Sequence, residues 1–225
     1  MGEAIGQILP YGVAVALSAF PIIGVVLMLA TPRARSNGPA LLLGWALGLA
    51  LVGTIVLLVS GGAGPGDQGR PADWVSALDL ALGVLLLWVA VKEWRGRPRG
   101  DEEVTLPKWM KTVDSFTPVK ALALGMALSS INPKNLLLSI AAASAIARTD
   151  TSAGAQAVAL GVYVVLGALG PGTPVVLYFV LKERSKHILD GLKLWMERNN
   201  TAIMAVICLL FAAKLVGDAV SDLSA

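Results

Sequence analysis

The chain has 225 residues, 56% of them hydrophobic and only 15% charged, whereas soluble domains carry about 25% charged residues. That balance leaves almost nothing for a soluble domain, and the net charge of +3 is spread over loops rather than gathered into a nucleic-acid surface. Cys208 is the single cysteine, which excludes an intrachain disulfide and the paired-thiol chemistry of membrane redox carriers, and the single histidine, His187, leaves little for metal chemistry.

A run of about 20 apolar residues crosses the hydrocarbon core of a bilayer. Six such runs occur, at 8–31, 38–61, 74–92, 119–147, 154–181 and 200–221. The first is too long and too glycine-rich for a simple signal peptide. It contains "VALSAFPIIGVVLML" (15–29), with Ser18 and Pro21. The second contains "LGW" (43–45) and "GTIV" (53–56), and "GGAGPGDQGRPAD" (61–73) after it reads as a flexible external loop. The third carries Asp79 in "WVSALDLALG" and ends "LLLWVAVK" (85–92).

"RGRPRGDEE" (95–103) reads as a linker. In "LPKWMKTVDSF" (106–116), Leu106, Trp109, Met110, Val113 and Phe116 share one helical face opposite Lys108, Lys111 and Asp114. The fourth run contains "MALSSINPKNLLLSI" (126–140), the fifth "LGV" (160–162) and "LGPGTP" (169–174). "HILDGLKLWMERNN" (187–200) repeats the amphipathic pattern through Ile188, Leu192 and Trp195, and the sixth run contains "CLLFAAK" (208–214). Amphipathic segments of this kind lie in the membrane interface or dock on a bundle. Lys214 near the outer end, with Asp218 four residues on, reads as a snorkelling ion pair.

Basic residues sort by loop. Arg33 and Arg35, then Lys92 through Lys120, then Lys182 through Arg198 fill alternate loops, against only Arg70 and Arg148 in the others. Basic loops stay cytoplasmic, so both termini are expected outside. Runs one to three match runs four to six in order: A-L-S then proline, L-G then G-T, and an aliphatic stretch closed by lysine. Three spans per unit reverse the second unit. The expected fold is therefore an all-α polytopic membrane protein of six transmembrane helices in two inverted 3+3 repeats. Its units are 1–94, a linker with an amphipathic helix at 95–117, and 118–225. Helices 1, 4 and 5 are expected to be broken, with amphipathic cytoplasmic helices before spans 4 and 6.

In such folds the substrate site lies at the midplane on broken helices. Proline removes an N–H and clashes with the carbonyl four residues back, so Pro21, Pro133, Pro171 and Pro174 mark the candidate breaks. Freed carbonyls in lipid must find donors or a wet cavity. Asn132 and Asn135 flank Pro133 and supply both donors and acceptors. Lys134 lies fourteen residues from both Lys120 and Arg148, about 20 Å from either, and a central lysine faces a cavity or a partner. Asp79 is the candidate counter-charge or coupling residue. The candidate substrate-binding set is Asn132, Lys134 and Asn135 with Ser18, Ser129 and Thr173. Ser130 and Lys134 stand i, i+4 and could pair as nucleophile and base. No oriented third group or oxyanion motif accompanies them, so no catalytic residue, metal or cofactor is expected.

The segments "KWMKTVDSFTPVKALALGMALSSINPKNLLL", "GPGTPVVLYFV" and "WMERNNTAIMAVICLLFAAKLVGD" resemble the GAP family, also called Sap or sulfolipid-addressing proteins, of the LysE exporter superfamily. The likeness extends over nearly the whole chain. "FPIIG" stands where amino-acid exporters of that superfamily carry Pro-Gly-Pro. The resemblance implies a six-span plasma-membrane protein that moves glycolipids toward the mycobacterial cell surface. Membrane lipids, a large lipid transporter of the RND type and a homo-oligomer are the partners it suggests, with no nucleic acid. Two other functions stay open: export of a small solute such as an amino acid or cation, and a non-transporting scaffold for a lipid-assembly complex.

Overall fold

The computed structural model describes residues 2–61, 73–96, 113, 115–149 and 151–224. Among the described residues the α-helices are α1 (Gly2–Ala16), α2 (Ala19–Leu29), α3 (Ala34–Gly61), α4 (Asp73–Arg95), α5 (Pro118–Ser130), α6 (Pro133–Ala147), α7 (Ala153–Leu181) and α8 (Ser185–Ser224). No strand occurs among the described residues. α3, α7 and α8 are each long and apolar enough to cross a bilayer, and the bent pair α1–α2 makes a fourth if it counts as one span. The other two expected spans differ in physical character. α4 carries Asp79 inside its apolar run and Lys92 and Glu93 at its end, and the fourth run is split into α5 and α6.

Local chemistry sets the helix starts. Thr117 caps α5 by accepting the Lys120 N–H at 3.4 Å, with Pro118 as first helical residue. Asn132 caps α6 by accepting the Lys134 N–H at 3.1 Å, with Pro133 next. Ser152 caps α7. A polar cap followed by proline suits a helix start, because the missing N–H is an orphan there anyway.

The helices associate in pairs: α4 along α8, α3 along α5, and α1 along α7. Glycines permit the closest approaches, as is usual between helices in lipid. A Cβ on Gly44 would collide with the Leu122 carbonyl of α5, and one on Gly170 with the Ala16 carbonyl of α1. Tyr11, Trp45, Leu86, Leu138, Ile146 and Tyr163 lie in the main core, while Leu58, Val59, Val119, Val165 and Val180 turn outward.

Three expectations need correction. The fifth run is not broken: α7 continues through both Pro171 and Pro174. The carbonyl that Pro171 cannot bond, that of Gly167, accepts the Trp45 indole N–H at 3.0 Å instead. A neighbouring helix thus meets the freed group, which lets proline stay inside a membrane helix. Second, Pro21 is not itself the break. α1 ends at Ala16, and Pro21 sits in the first turn of α2, four residues beyond Leu17 where its ring would clash. The axes differ by 51°. Third, residues 187–200 form no separate interfacial helix but the start of α8. Its inward stripe is Leu189, Leu192 and Met196, which packs on α2, whereas Ile188 and Trp195 are exposed. That stripe continues through Ile203, Ile207, Phe211 and Leu215 without a breaker, so the helix has no reason to stop. Of the other amphipathic segment, 106–112 and Asp114 lie outside the described residues. Val113 and Phe116 pack with α2 and α3 residues. Lys214 does pair with Asp218, at 2.6 Å on an exposed face.

Candidate functional site at the paired helix breaks

α1–α2 and α5–α6 break in the same way. Each has one residue with extended backbone at the start of its second half: Ser18 at φ −72°, ψ 116° and Asn132 at φ −61°, ψ 121°. The residue before a proline is pushed to extended conformation, which explains Asn132 directly. A helix end leaves its last carbonyls without intrahelical donors, so α1 and α5 each present such groups inside the bundle.

Side chains from the opposite break meet them. Lys134 is 1% exposed, and its Nζ donates to the Ala14 carbonyl at the end of α1, at 3.1 Å. Asn135 is fully buried and uses both ends of its amide. Its Nδ2 donates to the Leu128 carbonyl at 3.1 Å, and its Oδ1 accepts the Ser18 hydroxyl at 2.6 Å. Ser18 stands at the N-cap of α2 but makes no side-chain cap, because that hydroxyl is spent on Asn135. The two breaks are thus bonded to each other across 117 and 120 residues of sequence. The negative carbonyl end of α1 attracts the cation, which offsets its unfavourable place at the positive N-terminus of its own helix α6.

Ser18, Pro21, Asn132, Pro133, Lys134 and Asn135 therefore come together at the two breaks. Ser129 is buried beside them, but its hydroxyl turns back to Met126 at 3.0 Å and faces Gly48 of α3. Thr173 does not join. It is exposed on α7 and bonds the Leu169 carbonyl of its own helix at 2.7 Å. Pro171 and Pro174 lie in α7 and shape no break. Asp79 is not the partner of Lys134: its carboxylate pairs with Arg148, at the far end of α6. Ser130 donates to Met126 at 2.6 Å while Lys134 is engaged with Ala14, so the two form no nucleophile–base pair here.

Sequence reasoning passed over three contributors. Ser139 and Tyr163 share a hydrogen bond at 2.8 Å, both fully buried. Ser139 stands four residues after Asn135, on the same face of α6, and that spacing is the signal that could have found it. Trp45 is the third; nothing near it in sequence announces Gly167. Its role can be tested. Trp45→Phe leaves the Gly167 carbonyl unmet and is expected to cost about 1–2 kcal/mol. In a Pro171→Ala background, which restores a backbone donor, the same change should cost far less. Melting of the four proteins in detergent measures the difference.

Chemically, the cluster holds one cation, two carboxamides and hydroxyl groups; Lys134, Asn135, Ser18 and Ser129 donate to protein acceptors, and the Asn132 amide oxygen accepts from the α6 backbone. A ligand acceptor, anionic or polar, must compete with the Ala14 carbonyl for Lys134. A family model described as Sap, sulfolipid-1-addressing protein, matches residues 8–221. No curated protein and no solved structure matches the chain.

Proposed function

We propose, from the premise that the chain belongs to the Sap, sulfolipid-1-addressing protein family, that it exports a polar-headed lipid, a sulfolipid or related glycolipid, toward the cell surface or assists a larger transporter in doing so. The observation that carries this reading is the reciprocal bonding of the two helix breaks, Lys134 to Ala14 and Ser18 to Asn135. A polar cluster of that kind, closed on itself in an apolar bundle, can open to take a headgroup while the tails stay in the bilayer.

In this reading the chain is a six-span plasma-membrane protein of the LysE superfamily type, built as two inverted repeats with both termini outside. The packing supports a two-fold exchange of halves. Mapping α1, α2, α3 and α4 onto α5, α6, α7 and α8 turns α3 against α5 into α7 against α1. It turns α3 against α6 into α7 against α2, and α2 against α8 into α6 against α4; every one of these pairs is in contact. The carrier works without covalent catalysis, since binding and reorientation need no nucleophile. An RND-type pump or a second copy of the chain is the partner that would supply energy or room for a multi-chain lipid.

The test compares surface and total lipid in cells lacking the protein. A lower surface fraction of a sulfolipid or glycolipid, with its total unchanged, is the expected result. An unchanged surface profile would reject lipid export and leave a small solute as the cargo. Purified protein in liposomes then separates an exporter, which moves lipid alone, from a scaffold, which does not.

A further inference from the structure

The contact between Asp79 and Arg148 joins the first turns of α4 to the end of α6. The two helices are antiparallel neighbours. Counted in equal steps along both helices from that pair, Leu82 corresponds to Ala145, Leu86 to Ala141, Val89 to Leu138, and Ala90 to Leu137. All eight residues are buried in one cluster. In the same count Glu93 corresponds to Lys134. Asp79 and Glu93 are fourteen residues apart on α4, and Lys134 and Arg148 are fourteen apart on α6, so both helices carry charges about 21 Å apart. Glu93 also continues the buried stripe of α4: among residues 91–96 it alone is not exposed. Its neighbour Lys92 turns away, over the exposed ring of Trp88 at 5.2 Å. Glu93 lies within the electrostatic reach of Lys92 first and of Lys134 second, and Lys134 within that of Cys208 of α8 first and of Glu93 second.

We infer that Glu93 is the counter-charge of Lys134, a positioning residue that receives the ammonium when it leaves the Ala14 carbonyl. This rests on the export reading of the paired breaks. α4 then offers α6 two acidic stations, one occupied by Arg148 and one held in reserve for Lys134. A buried cation without an acid nearby is costly. With Glu93 beside it, Lys134 can release α1 and present a donor to a headgroup without becoming an isolated charge. The acceptor at Ala14 is a neutral carbonyl and the one at Glu93 a carboxylate, so the lysine has two alternative acceptors on different helices, which is the requirement for a two-state element.

The experiment is a double-substitution cycle on full-length protein in detergent, with Glu93→Gln, Lys134→Gln and both together. Each single change is expected to lower the apparent Tm by about 3 °C, and the double change by no more than either alone. Additive losses would overturn the pairing. Lipid delivery to the surface is the second readout, and it separates a counter-charge from a merely structural carboxylate. Glu93→Gln should lose roughly tenfold while Glu93→Asp keeps most of it; wild-type delivery by Glu93→Gln would likewise overturn the inference. If the cycle shows coupling but Lys134→Gln still delivers lipid normally, the export role of the breaks fails and the ion pair stands.

Discussion

Cells carrying Lys134→Met are expected to deliver roughly ten- to a hundredfold less lipid to the surface, although the protein inserts and melts within about 5 °C of wild type. The two halves of that expectation have different physical sources. A hydrogen bond to a charged group contributes about 1.5–3 kcal/mol, which is about one to two powers of ten in binding or rate. Among the described residues Lys134 is the only cation at the breaks, and its Nζ is held by the Ala14 carbonyl alone among the described hydrogen bonds. A headgroup that displaces Ala14 gains that bond, and methionine cannot supply it. For folding the terms oppose. Methionine fills a similar volume and removes a desolvated charge, an exchange that is often neutral or favourable. Against this, the Ala14 carbonyl loses its donor and Glu93 its neighbour. Lys134→Ala should behave alike in delivery but melt lower, because it also leaves a cavity. Wild-type surface lipid with either variant would remove Lys134 from the site.

The break in the fourth run was legible because its grammar is local. Asn132 and Pro133 are a cap and a first helical residue, and both rules need only adjacent residues. The same holds for the polar cost of Lys134, which any reading of hydropathy detects. What escaped was set by partners distant in the chain. Pro171 and Pro174 obey the same local rule as Pro133 but break nothing. The donor that rescues the Gly167 carbonyl comes from Trp45, 122 residues away. Pro21 marks a break by the local rule, but the clash falls four residues upstream, which moves the bend to Leu17 and Ser18. Thr173 reads in sequence as a neutral hydrogen-bonding group of the site, whereas its face of α7 turns outward. The stripe on 187–200 was read one position off, since Leu189 and Met196 face α2 and Ile188 and Trp195 do not. Asp79 reads in sequence as the counter-charge of Lys134, although its ion pair is with Arg148.

That ion pair gives the second large effect its asymmetry. Arg148→Leu is expected to destabilise the protein by about 3–5 kcal/mol, the range for removing one member of a buried ion pair. Asp79→Leu should cost clearly less, about 1–2 kcal/mol. The difference lies in where the surviving charge can go. Asp79 has a side chain that is 0% exposed, whereas that of Arg148 is 20% exposed. An arginine near a helix end can swing its guanidinium to the interface, but the carboxylate four residues into the apolar part of α4 cannot follow. Replacing both with leucine should recover most of the loss, since paired burial and apolar burial are nearly equivalent once neither charge is stranded. At about 2–4 °C per kcal/mol for a chain of this size, the three variants separate readily by melting in detergent. Equal losses for the two single variants, or a double variant as damaged as the worse single, would mean that the pair is not what holds α4 against α6. The correspondence that sets Glu93 against Lys134 would then lose its anchor.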